Sequence, residues 1–128
     1  MAISKTLQTK YPDFIKMMKQ LRFDDYQIEM KLNEMEDLKD WVPITLKELQ
    51  SMSQDDLSKL KSYCWHDGNP RCDCIGISHL KITQGKYGYT VEFSDENGDP
   101  RFEVRDVNSK IDNVGDGEWN YGLYKKTN

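Results

Sequence analysis

Cys64-Trp65-His66-Asp67-Gly68-Asn69-Pro70-Arg71-Cys72-Asp73-Cys74 divides the chain into two kinds of pattern. Before it, apolar residues recur with the helical period; after it, they alternate with a period of two. The stretch also holds all three cysteines and one of the two histidines, spaced C-x-H-x5-C-x-C. Three thiolates and an imidazole make a full tetrahedral shell for zinc. The intervening Asp67-Gly68-Asn69-Pro70 is turn-forming and can fold the ligand pairs onto each other. Cys64, His66, Cys72 and Cys74 are therefore the expected ligands of one structural Zn²⁺.

The cysteines are flanked by His66, Asp67, Arg71 and Asp73, unlike structural cysteines in apolar runs. His79, five residues past Cys74, is the alternative fourth ligand; His66 has the tighter local spacing. A closed shell leaves no position for water or substrate, which points to a structural and not a catalytic ion. A free-thiol cluster and a disulfide are the competing readings. Cys72 and Cys74 are a poor pair with each other, and any single bridge leaves one thiol over. Residues 1–10 contain no apolar core of a signal peptide, so a reducing, cytoplasmic setting is expected.

Upstream, residues 1–10 read as a short arm with at most a partial helical turn. Pro12 suits the first position of a helix, where its missing N–H costs nothing. Phe14, Met17, Met18 and Leu21 then share one helical face. Asp24 and Gln27 form a capping box, with Phe23 and Ile28 as its hydrophobic staple. The helix they start is expected over about residues 25–40, with Ile28, Leu32, Met35 and Leu38 inward. Glu29, Glu36 and Asp40 fall on another face, a largely acidic stripe that could meet a basic partner. Its plainer reading is a solvated face. Thr45 with Glu48, and Ser53 with Asp56, repeat the capping signal. Leu57, Leu60 and Cys64 would then continue one helical face, so that Cys64 ends the last helix.

Downstream, residues 75–83 are rich in strand formers, and Gln84-Gly85 is a turn. Tyr87, Tyr89, Val91 and Phe93 alternate as a half-buried strand. Residues 94–100 read as a hairpin loop, Phe102 and Val104 as the next strand, residues 112–117 as a longer loop. Trp119, Tyr121 and Leu123 mark the last strand. The expected fold is α+β in a single domain, residues 1–128. Its N-terminal helices (1–63) would pack on a C-terminal four-stranded antiparallel meander (75–128), with a zinc-binding loop (64–74) at the junction.

Composition narrows the function. The net charge of −4 disfavours an electrostatically driven nucleic-acid binder. Residues 64–128 carry 8 Lys and Arg against 11 Asp and Glu, which gives no basic groove for base stacking. No run is long enough to span a membrane. Asp95-x-Asn97-x-Asp99 resembles the opening of a calcium loop, but Pro100 stands where that loop needs glycine. Neither a nucleophile elbow nor a phosphate-binding glycine loop is present. The α+β pattern, the acidic stripe of Glu29, Glu36 and Asp40, and the compact Cys64/His66/Cys72/Cys74 cluster together resemble small phage-encoded anti-CRISPR proteins that inhibit Cas9-type effectors. That resemblance implies a non-enzymatic protein that binds a basic protein surface and blocks nucleic-acid loading, with neither direct nucleic-acid nor membrane contact. Such effectors hold nucleic acid in positively charged channels. A zinc-containing nucleic-acid regulator and a zinc enzyme are the alternatives.

Overall fold

The computed structural model describes residues 3–127. They fall into two compact units, Met1–Lys39 and Asp40–Asn128.

The first unit is helical: α1 (Lys5–Lys10), α2 (Pro12–Gln20) and α3 (Asp25–Leu38). Ser4 caps α1 through its side chain, Pro12 opens α2, and Asp24 with Gln27 forms the expected capping box of α3. The side-chain caps of α1 and α3 each satisfy a main-chain N–H that has no partner within the helix, and Pro12 has no N–H to leave unpaired. Ile3, Leu7, Ile15, Ile28 and Leu32 form the core, with Tyr11, Phe14, Met18 and Met35 packed on it. The buried face of α2 is thus centred on Ile15, while Met17 and Leu21 are exposed.

The second unit begins with β1 (Trp41–Pro43), α4 (Leu46–Gln50) and α5 (Gln54–Leu57). The capping boxes of Thr45 with Glu48 and of Ser53 with Asp56 are both present. Then come β2 (Lys61–His66), β3 (Asn69–Ile75), β4 (Ser78–Gln84), β5 (Tyr89–Ser94), β6 (Arg101–Val104), β7 (Val114–Gly115) and β8 (Trp119–Lys126). The α+β class holds, but the strands form two antiparallel sheets instead of one four-stranded meander. One has the order β1-β8-β2-β3 with β7 also on β8; the other is β4-β5-β6. A single core, including Ile44, Leu46, Leu49, Leu60, Val91, Phe93, Phe102 and Leu123, joins both sheets to α4 and α5.

Cys64 lies in the middle of β2 and not at the end of a helix. The segment Lys61–Trp65 is buried at every position, so both faces of β2 are covered as well as both edges. A strand of that kind loses the alternation that identifies strands in sequence. Residues 64–74 are likewise no loop at a helix–sheet junction. They make up most of the β2–β3 hairpin, turned at Asp67 and Gly68, both with left-handed backbone (φ 50° and 82°).

Candidate functional site at the tip of the β2–β3 hairpin

Register decides what meets here. On β2, Cys64 pairs across the hairpin with Cys72, and on its other side Cys64 pairs with Tyr121 and His66 with Trp119 of β8. Alternation along the strand then places Ser62, Cys64 and His66 on the same sheet face as Trp119, Tyr121 and Leu123.

Cys64 and Cys72 are joined in a disulfide, with their Cα atoms 5.2 Å apart. Cys74 is the thiol left over; it is buried and accepts a hydrogen bond from Asn97 Nδ2 at 3.6 Å. Burial, with the neighbouring Asp95 carboxylate, pushes its pKa up to about 11, so it stays a protonated thiol near neutrality. His66 Nε2 lies 3.3 Å from Glu118 Oε1, its Nδ1 lies 3.8 Å from Asp67 Oδ2, and its ring sits 4.6 Å from that of Trp119. As arranged, the four expected zinc ligands are not a coordination shell. Two sulfurs are bonded to each other, the third is a neutral thiol held by Asn97, and the imidazole is turned to Glu118. Among the described residues no group of three or more His, Cys, Asp or Glu side chains is placed to hold a metal. His79, the alternative ligand, lies on β4 with left-handed backbone (φ 53°) and its Nδ1 3.0 Å from Ser78 Oγ.

The acidic stripe is dispersed. Glu36 accepts hydrogen bonds from Lys10, at 2.7 Å, and from the Tyr11 hydroxyl, and faces Lys39 at 3.5 Å. These partners lower its pKa to about 2. Glu29 is half-buried, with Oε2 enclosed and lacking a hydrogen bond. Asp40 lies past the end of α3, in the other unit, where its carbonyl accepts from the Thr127 amide at 3.0 Å.

Carboxylates gather instead around Trp119. The turn from β7 to β8 is built by Asp116, whose Oδ1 accepts from the amides of Trp119 (2.9 Å) and Glu118 (3.0 Å). Those two bonds hold Asp116 below the ordinary carboxylate range. Gly115 is needed beside it, since a Cβ there would lie 2.1 Å from the Trp119 carbonyl oxygen. Asp95, in the β5–β6 turn, accepts from Ser62 Oγ at 2.9 Å. Burial raises the pKa of Tyr121, and the charges of Asp116 and Asp95 add to the effect, which puts both carboxylates in the field of this face. Next to them opens a cleft of about 320 Å³ lined by Phe102, Trp119 and Tyr121 together with Arg101, Glu103 and Asp116. Phe102 and Tyr121 stack at 5.6 Å to form its floor, and Arg101 is paired with Glu92 at 3.0 Å. Trp119, 40 % exposed, stands at the rim.

Of the residues expected from sequence, the structure sets the His66 ring 4.6 Å from that of Trp119 and pairs Cys64 with Tyr121 across the β2–β8 register. Trp119, Tyr121, Asp116 and Glu118 join them only through the β2–β8 register. The one local signal for them was Asp116-Gly117-Glu118-Trp119, a turn ending in an aromatic.

No protein family, curated protein or solved structure matches this chain. Among the described residues no helix is long and apolar enough to cross a membrane.

Proposed function

We propose that the protein is a non-enzymatic interaction module that receives a basic side chain of a protein partner in the Trp119 cleft. The observation that carries this is an exposed indole beside Tyr121, with Asp116 and Glu103 lining the same cleft and the Glu118 carboxylate 3.3 Å from the His66 ring that packs on Trp119. An aromatic face attracts a guanidinium or ammonium group through its quadrupole. Carboxylates around it steer and orient the approaching cation. Long-range charge favours the same partner, because residues 40–128 hold 11 of the 18 basic residues and 15 of the 22 acidic ones. That unit therefore carries the whole net charge of −4. In this reading the acidic contact lies around Trp119 and not on Glu29, Glu36 and Asp40.

A Cas9-type effector, with its basic nucleic-acid channel, is the first partner to test. Two measurements separate the cleft from the partner. A short arginine-rich peptide titrated into isotope-labelled protein should shift the Trp119 indole N–H and the Tyr121 amide, and Glu118→Gln should weaken the effect. Shifts scattered elsewhere, with Trp119 unmoved, would reject the cleft. With a guide-loaded effector, Trp119→Ala should weaken binding by about 2 kcal/mol, the scale of an aromatic hot spot. Absence of wild-type binding would reject this partner class.

A second reading concerns the reduced chain. Strand alternation places Cys64 and His66 on one face of β2, and Cys72 faces Cys64 across the hairpin. Cleaving the disulfide would give three thiols and an imidazole on one hairpin, a donor set suited to one structural zinc. Metal content of protein purified under reducing conditions tests it: about one zinc per chain supports it, and three titrating thiols without metal reject it.

A further inference from the structure

We infer that the partner segment lies extended along β6, with its basic residue at Trp119 and an acidic residue roughly four positions away between Lys86 and Arg105. This deepens the reading of the Trp119 cleft and rests on it. Beside that cleft opens a second one of about 500 Å³, and Glu103 and Gly115 line both. The two follow one another along β6. Arg101, Phe102 and Glu103 line the first; Glu103, Val104 and Arg105, just past the end of the strand, line the second.

The two ends differ in charge. Asp116 lines the Trp119 end, and Glu103 stands between the two. The far end is lined by Lys86 and Arg105, neither of which is ion-paired among the described residues. Lys86 Nζ lies 5.4 Å over the ring of Tyr87, which is 84 % exposed in the β4–β5 turn. Gly88 lets this turn close on the end of β6, since a Cβ there would lie 2.7 Å from the Val104 carbonyl oxygen. A carboxylate placed at this end would face two cations, as a guanidinium at Trp119 would face carboxylates. A ligand of one sign matches only one end.

An extended peptide suits this site better than a compact ligand. Among the described residues β6 is the last strand of the β4-β5-β6 sheet. Phe93 N–H bonds to the Pro100 carbonyl at 3.2 Å, so the antiparallel ladder uses alternate residues on this side: Pro100, Phe102 and Val104. Arg101 and Glu103 therefore turn their main-chain N–H and C=O groups away from β5. β7 contributes Gly115 to both clefts, yet it pairs with β8 and not with β6. A peptide added to such an edge gains main-chain hydrogen bonds, while the flanking pockets select its side chains. Arg101 and Arg105 are four residues apart, about 13 Å along a strand, which sets the spacing of the two charged residues in the partner.

Titration of the isotope-labelled full chain with short peptides tests this. One peptide carries arginine and glutamate about four positions apart; the other has glutamine in place of the glutamate; each is made in both orders. In at least one order the glutamate peptide should bind roughly three- to fivefold more tightly, the scale of exposed ion pairs. It should shift the Tyr87 and Arg105 amides as well as the Trp119 indole N–H. Lys86→Gln with Arg105→Gln should abolish that gain and leave the Trp119 shift caused by the glutamine peptide unchanged. Equal affinities, with Trp119 shifting alike, overturn the inference and leave the Trp119 cleft standing. No shift at Trp119 or Tyr87 under any peptide overturns both together. Tyr87 shifting under the glutamate peptide while Trp119 stays still would make the far end a separate anion site and overturn the shared segment. A gain that survives the double variant overturns it as well, by placing the carboxylate elsewhere.

Discussion

The two units of this chain reach order by different means. Residues 3–39 rely on helix grammar: a side-chain cap on α1, proline at the start of α2, a capping box on α3, and a core of five buried apolar side chains. Residues 40–127 rely on long-range pairing: β8 binds β1, β2 and β7, and twelve buried side chains form one core under both sheets. The first kind of order is local and cheap to specify. The second must close long loops before any contact repays the lost entropy. Most of the stability should therefore reside in the second unit, and that contrast can be tested.

The largest expected effect is at Phe93, buried in the shared core of the two sheets. Phe93→Ala should cost about 3–5 kcal/mol, from lost transfer energy and the cavity left behind. Urea unfolding followed by amide exchange in β5 and β8 measures it. A loss below 1 kcal/mol would break the contrast between the units. Next is the Cys64–Cys72 disulfide, which spans eight residues of sequence. Loop-closure entropy gives it roughly 2.5 kcal/mol, so Cys64→Ser with Cys72→Ser should lower the melting temperature of the sheets while α3 exchanges as before.

The caps come third. Asp24→Ala and Thr45→Ala each remove an N-cap acceptor, from Gln27 N and Glu48 N respectively. Each should cost about 1 kcal/mol. The loss at Asp24 should be the larger fraction of its unit's stability, visible as early fraying of α3 by amide exchange. The smallest and most local effect is electrostatic. Lys10 and Tyr11 hold Glu36 at about pKa 2. A carboxylate with a depressed pKa stabilises the folded state above its ordinary titration range, and the contribution disappears as pH falls through the folded value. Helical signal from the first unit should thus decline between about pH 4.5 and pH 2 in the wild type, and Glu36→Gln should flatten that limb. An identical acid limb in the variant would show that the Lys10–Glu36–Tyr11 cluster adds nothing.

The same contrast explains what the sequence disclosed. The capping boxes at Asp24, Thr45 and Ser53 were legible because all their partners lie within three residues. Phe102 and Val104 of β6 and the alternation over Tyr89–Phe93 were legible because one face of that sheet is solvated. β2 was not legible, since Lys61–Trp65 is buried throughout, and Leu57, Leu60 and Cys64 mimic a helical spacing. The pairing of His66 with Trp119 spans 53 residues of sequence, and no local pattern encodes it. The cysteines mark the β2–β3 hairpin, but their spacing suits metal binding as well as cross-strand bonding, and no local pattern chooses between the two.

Among the described residues β3 is the outermost strand of its sheet, with β2 on one side and no further strand beyond it. An open strand edge is a template on which a neighbouring molecule can stack, and many proteins guard such edges. Here the guard is covalent. With Cys72 fastened to Cys64, β3 cannot peel away to offer both of its edges, nor be traded for the matching strand of another chain. A reducing agent would unlock it, so any association through this strand should follow the redox state of the surroundings.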